Sequence, residues 1–314
     1  MALRAWLRTR WWLVAVAVGL AAVGAGVSAY AGAGGEPAVV IGAGSTDEQR
    51  VLAALTAQVL ERSDVPVEIR PDLGGSRGLR RQALAAQIDL FWDYTGAAWT
   101  LGLREAAPPA DPVESWERVR QADQDQGLRW LAASAANATF ALVVREEDLP
   151  QAQARRSVGW LAGELSSGRH RLCADADFIA RADGLPSLAA EYGIDTVGMP
   201  VVAATEAEAI AAVRDGRCFA GLATATSGEA HAADLVPVAD ELRVFPAFVV
   251  APVARSGSPA DRPAVVEALR VVTGVLDTST LARLNARAVA GQDPTVIATD
   301  FIDELTARAA TPAP

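Results

Sequence analysis

Phe91, Trp92 and Tyr94 place three of the chain's few aromatic residues within four positions, with Asp93 among them. The stretch Ile88–Gly96 begins apolar and aromatic and ends in polar and turn-forming residues. That is the pattern of a buried strand delivering a loop to the edge of a sheet. In open α/β folds, ligands sit at such carboxyl ends. A core strand would bury Phe91 by itself. Trp92, Asp93 and Tyr94 at its exit are read as one wall of a small-molecule cleft, the alternative being that they cap the core.

Catalytic chemistry finds less support. An activated Ser or Cys needs a base beside it, and neither His170 nor His231 sits in a recognisable motif. No Ser is read as lying in a Gly-x-Ser-x-Gly elbow, and no phosphate loop or zinc spacing is found. Paired carboxylates discriminate nothing in so acidic a chain. The reading is of a protein that is not an enzyme, with no cofactor and no metal. The two cysteines, Cys173 and Cys218, fit no metal pattern, and an even count in an exported chain favours a bridge over two buried free thiols. A bridge closing a loop of 45 residues would stabilise by about 4 kcal/mol in the loop-entropy model.

The 314 residues allow one large domain or two lobes, and 51% hydrophobic residues suffice for a full core. All 28 basic residues are Arg; with 38 acids the net charge is −10, which argues against a nucleic-acid partner. Arg4, Arg8 and Arg10 precede an uncharged apolar run, Trp11–Ala29. A basic start and an apolar body make an export signal or a membrane anchor. The run is just long enough to span a bilayer, whereas Ala29-Tyr30-Ala31 offers a small-x-small cleavage site; both readings stay open. Either way the remainder is expected outside the cytoplasm, exported or anchored to the outer face of the membrane.

The elements that would position the aromatic cluster follow in order. Ala38–Gly42 reads as a short buried strand. Ser45 reads as a helix N-cap with Glu48 as its capping-box partner, followed by an amphipathic helix to Arg62. Val65–Arg70 is the next strand, Leu73-Gly74-Gly75-Ser76 turns into a helix over Arg77–Gln87, and the strand Ile88–Phe91 follows. This order implies a parallel sheet with helices on both faces. After a helix at Val113–Gln126 and a strand at Leu128–Ala132, a crossing to a second lobe is placed near residues 134–139. That lobe alternates strands and helices up to Val236-Pro237. The extended apolar run Arg243–Val250 reads as the return crossing, and Asp261–Ala309 as helices packed on the first lobe, with Thr311–Pro314 a frayed tail.

Over residues 38–305 the sequence resembles the substrate-binding proteins of osmoprotectant ABC transporters, which bind glycine betaine, choline and related quaternary amines. The likeness rests on ordered blocks: Ile41-Gly42 with Glu48-Gln49; Leu73-Gly74-Gly75-Ser76; Ile88-Asp89-Leu90 with Tyr94-Thr95-Gly96; Asn137 with Thr139; Asp183-Gly184-Leu185-Pro186; Tyr192-Gly193; and Ala251-Pro252-Val253. The resemblance implies an α/β, two-lobed type II periplasmic-binding-protein fold with two hinge crossings behind an N-terminal apolar helix. Residues 1–35 would be signal or anchor plus linker, 36–136 and 246–314 lobe 1, and 137–245 lobe 2. It also supports the Cys173–Cys218 bridge, and implies a small-molecule ligand and a membrane permease as partners.

Such proteins hold a quaternary ammonium in a box of aromatic rings, whose faces are negative, and take a ligand carboxylate with Arg and often Lys. Carried over, Tyr94 keeps its ring. Phe140 and Phe248 stand at Tyr places and lose the hydroxyl, while Thr224 stands where an aromatic is expected. Arg181 matches the carboxylate-binding Arg, and Gly44 falls at the Lys place. Trp92 stands where Pro is usual and would restore aromatic surface. Ala97 replaces Thr, and Ser227 and Glu229 replace Asp and Arg. A different reading keeps the fold but makes the chain a membrane-anchored sensor or partner-binding module with a lapsed pocket.

Overall fold

The computed structural model describes residues 36–105, 107–152 and 156–310. The expectations placed on the apolar start and on the tail 311–314 lie outside the described residues. Among those described, no helix is long and apolar enough to cross a membrane.

The chain opens with strand β1 (Val39–Gly42) and helix α1 (Asp47–Glu61), whose Val51, Leu52, Leu55, Val59 and Leu60 recur at helical spacing and are all buried. Its cap is Thr46, not Ser45: the Thr46 hydroxyl accepts the Gln49 N–H at 3.2 Å. Glu48 takes no part in a capping box, because its carboxylate is drawn inward by Tyr94 and Asn285, 2.6 Å away in each case. Strand β2 (Val67–Arg70), helix α2 (Ser76–Leu84) and strand β3 (Leu90–Tyr94) follow. Residues 95–102 form helical turns. Helix α3 (Pro112–Gln124), capped by Asp111, leads to strand β4 (Leu128–Trp130).

The chain then crosses over. Strand β5 (Phe140–Arg145) is followed by α4 (Val158–Ser166), β6 (Leu172–Ala174), α5 (Ala176–Ala180), α6 (Leu185–Tyr192) and β7 (Val201–Ala203). Helix α7 (Glu206–Arg214) carries a full capping box between Thr205 and Glu208, and β8 (Ala220–Thr224), α8 (Gly228–Ala232) and β9 (Leu235–Pro237) come next. The chain returns into β10 (Val250–Arg255) and ends in α9 (Pro263–Val275), α10 (Thr278–Val289) and α11 (Pro294–Ala310).

Two five-stranded sheets result, ordered β2-β1-β3-β10-β4 and β7-β6-β8-β5-β9. The expected parallel core is present: β1 runs parallel to β2 and β3, and β6 parallel to β7 and β8. Each sheet also has one antiparallel member, β10 or β5, which the order of elements alone did not reveal. Each is the first strand after a crossing. It therefore enters its sheet where the parallel strands end, with Val250 opposite Tyr94 and Phe140 opposite Thr224.

The two crossings run side by side. Asn137 bridges Val249 in antiparallel fashion, the Phe248 N–H donates to Asn137 Oδ1 at 2.7 Å, and the Thr139 hydroxyl donates to the Pro246 carbonyl at 2.5 Å. Thr95, fully buried at the end of β3, donates to the Ala247 carbonyl and accepts from Ser115 Oγ and the Val249 N–H. The segment 246–249 is thus an irregular strap tied by side chains.

Helices cover both faces of the first sheet, so both residue sets of β3 are buried. Phe91 packs with Leu79 and Val119 on one side, and Trp92 with Leu52 and Leu269 on the other. In the second sheet, Cys173 and Cys218 lie in the small cluster beneath α7 and are joined by a disulfide with Cα atoms 6.0 Å apart.

A charged group lies inside the first sheet's core. Arg80 grips the buried Asp123 with both terminal nitrogens at 2.6 and 2.7 Å, the Trp130 indole donates to Asp123, and Asp93 stands 3.5 Å from Arg80. Burial raises the Asp93 carboxyl from 3.8 to about 6, against the pull of Arg80. The folded chain thus keeps a proton that the unfolded chain releases from about pH 4 upward. The stability this proton confers is complete below that pH and is lost as pH rises through 6. Asp93→Asn removes the effect: relative to the parent, the variant gains on the order of 3 kcal/mol between pH 4 and 7 in urea unfolding. A difference that stays constant with pH would show that Asp93 does not titrate there.

Candidate functional site

Residues at the carboxyl ends of both sheets meet around a cleft of about 400 Å³, within the usual range for small-molecule sites. The first sheet contributes the opening turn of α1 (Thr46 to Gln49), Tyr94 and Ala97 after β3, and Asn285 and Val289 from α10. The second contributes Glu206 at the start of α7, Thr224 at the end of β8, and Thr226 to Gly228 leading into α8. Ala138 and Phe248, one from each crossing, line it as well.

Tyr94 and Phe248 supply the aromatic surface. The Phe248 ring lies so close to Gly96 that a Cβ there would come within 2.5 Å of it, and only glycine leaves the ring this place. The Tyr94 hydroxyl donates to Glu48 Oε1 at 2.6 Å, and its phenol is held well above its ordinary range by burial and by the neighbouring Glu48 charge. Glu48 is half-buried and also receives Asn285 Nδ2 at 2.6 Å. Burial raises its carboxyl above the ordinary range; its hydrogen bonds to Thr226, Tyr94 and Asn285 oppose this, and the Glu206 charge adds to the rise. Asn285 Nδ2 donates as well to the Thr226 carbonyl at 2.8 Å, so this one amide ties the two sides together. Across the cleft, Glu206 accepts the Thr224 N–H at 2.9 Å and the Thr224 hydroxyl at 3.0 Å.

Of the residues singled out in the sequence, Tyr94, Ala97, Thr224, Ser227 and Phe248 therefore line one cleft, while Glu229 is exposed outside it. Four others do not. Trp92 is a core residue, 2% exposed, with its indole N–H on Thr56 Oγ1 at 2.7 Å; β3 continues through it, and a strand covered on both faces leaves it no route to the cleft. Phe140 packs on Phe178 and Phe245 at centroid distances of 6.1 and 6.2 Å, on the core side of β5. Arg181 is exposed at the end of α5 and ion-paired to Asp183 at 2.8 Å. Gly44 is buried behind Gln49, and a Cβ there would lie 1.8 Å from Gln49 Oε1 and 2.6 Å from the Gly74 carbonyl oxygen.

Glu48, Glu206 and Asn285 were not anticipated as cleft residues. Glu48 already had a role as a capping partner, and nothing in the sequence marks Asn285, which sits on a helix far along the chain. Contrary to the expectation that no Ser lies in a nucleophile elbow, Gly74-Gly75-Ser76-Arg77-Gly78 has that spacing. Ser76 is buried in the first turn of α2, however, while His170 is packed against Phe219 and Glu164 beyond the crossing.

The family model "Substrate binding domain of ABC-type glycine betaine transport system" matches residues 37–304. A glycine-betaine-binding protein of Pseudomonas aeruginosa is 30% identical over 272 residues, covering 84% of this chain and 86% of its own. The glycine betaine-binding protein YehZ of Escherichia coli is 29% identical over 278 residues, covering 85% and 90%. The solved structure of apo YehZ from Escherichia coli superposes with a TM-score of 0.76 at 28% identity, covering 85% of this chain and 98% of that one.

Proposed function

This chain belongs to the family of substrate-binding domains of ABC-type glycine betaine transport systems, and from that premise we propose that it captures a small quaternary-ammonium solute between its two lobes and passes it to a membrane permease. The family is one of solute-binding proteins that work outside the cytoplasm and are not enzymes. The lobes of the proposal are residues 36–136 with 246–314, and residues 137–245. The apolar start 1–35 serves as export signal or outer-face anchor.

The observation that supports this best is the cleft itself. It lies between two sheets that the paired crossings connect, and it presents Tyr94 and Phe248 together with the carboxylates of Glu48 and Glu206. A quaternary ammonium has no N–H to donate, so ring faces and carboxylates are the groups that attract it. Closing one sheet's end over the other would strip it of water.

The test is thermal unfolding of the purified protein with choline, glycine betaine and carnitine, each supplied far above its affinity. A ligand at a hundredfold excess over Kd stabilises by about 2.7 kcal/mol, so at least one should raise Tm by several degrees, and Tyr94→Ala should abolish most of the shift. No shift with any quaternary amine would favour the reading of a sensor or partner-binding module with a lapsed pocket.

A further inference from the structure

Every charged side chain that lines the cleft is acidic: Asp47, Glu48 and Glu206. Asp47 is already paired with Arg50 at 3.0 Å, whereas Glu48 and Glu206 hold only neutral donors. They come from opposite sides of the cleft and sense one another. No arginine or histidine lines it among the described residues, and Arg181 is spent on Asp183 at the surface. A ligand carboxylate would therefore enter between two like charges with no cation to receive it.

A second observation concerns neutral groups. Gln49 and Asn285 are each 5% exposed, both line the cleft, and the side-chain oxygen of each lacks a hydrogen-bond partner. The orientation of Asn285 is set by its Nδ2, which donates to Glu48 and to the Thr226 carbonyl, so its Oδ1 must be the free acceptor. Gln49 Oε1 lies against Gly44 and the Gly74 carbonyl, behind the cleft wall. A buried acceptor left without a donor is costly, and Asn285 Oδ1 at the cleft calls for a ligand that brings a donor.

We infer that the cleft selects a small cation that carries a hydroxyl or N–H donor and no carboxylate, an amino-alcohol of the choline type rather than a zwitterion, with Glu48 as its main charge partner. This rests on the solute-binding reading above and narrows it. The cation lies against the Tyr94 and Phe248 rings, its charge balanced by Glu48 and Glu206, and its donor reaches Asn285 Oδ1.

Calorimetric titration of the full-length protein tests this with three probes of similar shape: choline, glycine betaine, and the uncharged choline isostere 3,3-dimethylbutanol. Choline should bind at least tenfold more tightly than either of the others. Glu48→Gln, which keeps the size and the capacity to bond Tyr94 and Asn285, should weaken choline at least tenfold and narrow its margin over betaine. Glu206→Gln, an exposed change on the opposite wall, should act in the same direction and serves should the first variant not fold. Betaine binding as well as or better than choline, or choline affinity unmoved in both variants, overturns the inference while leaving the solute-binding reading in place. Binding of none of the three, with none of the quaternary amines shifting Tm, overturns that reading and this inference with it.

Discussion

Gly228→Val should lower ligand affinity at least tenfold, a loss of about 1.4 kcal/mol or more of binding free energy. Gly228 opens α8, on the second sheet's side of the cleft, directly against α10 of the first. A Cβ at this position would lie 2.5 Å from the carbonyl carbon of Asn285, 2.6 Å from its oxygen and 2.7 Å from the Ala286 nitrogen. These are backbone atoms of a helix interior, which cannot swing aside as a side chain does. The two helices must separate, and the bond from Asn285 Nδ2 to the Thr226 carbonyl must lengthen or break. Because the same amide group also holds Glu48, the change spreads from the spacing of the lobes to the charge in the cleft. Glu229→Ala, one residue further and exposed, is the control and should leave affinity unchanged. Titration of both variants decides it: equal affinities would mean that the approach of α8 to α10 is irrelevant to binding.

The second large effect concerns the disulfide. Replacing Cys173 and Cys218 together by Ala is expected to lower unfolding free energy by about 4 kcal/mol, from the conformational freedom regained by a 45-residue loop. Both residues are 3% exposed and packed under α7 with Ala209 and Val213, so the substitution also leaves a void beside the sheet. Reduction of the parent with dithiothreitol should reproduce most of the loss. Urea unfolding followed by tryptophan fluorescence reads both, with Trp160 reporting from the second sheet's side. A loss below about 1 kcal/mol would mean that residues 173–218 are already constrained in the unfolded chain.

How much of this was legible in the sequence varies with the physics involved. Helices such as α1 were readable because burial repeats with the helical period, and local capping chemistry limited the error at its start to a single residue. The crossings were readable as breaks between runs of strands and helices. The placement of β10 and β5 was not, since pairing partners are set by where the chain re-enters a sheet. Trp92 shows the limit of alternation: in a strand covered on both faces, an aromatic tells nothing of which side it faces, or whether it reaches a surface at all. Arg181 and Phe140 carry the right side chains at plausible places, yet one is bound to its neighbour Asp183 and the other belongs to a cluster of three phenylalanines. Tyr94, Phe248 and Thr224 stand at the cleft's rim; a strand end pointed to Tyr94, whereas Phe248 and Thr224 came only from the family resemblance. Glu48 and Asn285, 237 residues apart, meet only through tertiary packing.

The insertion of β10 between β3 and β4 bears on how the molecule is made. β4 bonds to no other strand of its sheet, and β3 has nothing else on that side. While the chain is being synthesised, the sheet begun by β1 stays two pieces with open edges until residue 255 has emerged, by which time every strand of the second sheet is already available to fold. The part of the protein that starts first is thus completed last. An unfinished sheet cannot lock into a rigid body, so the first sheet sets only once the chain has returned from the second.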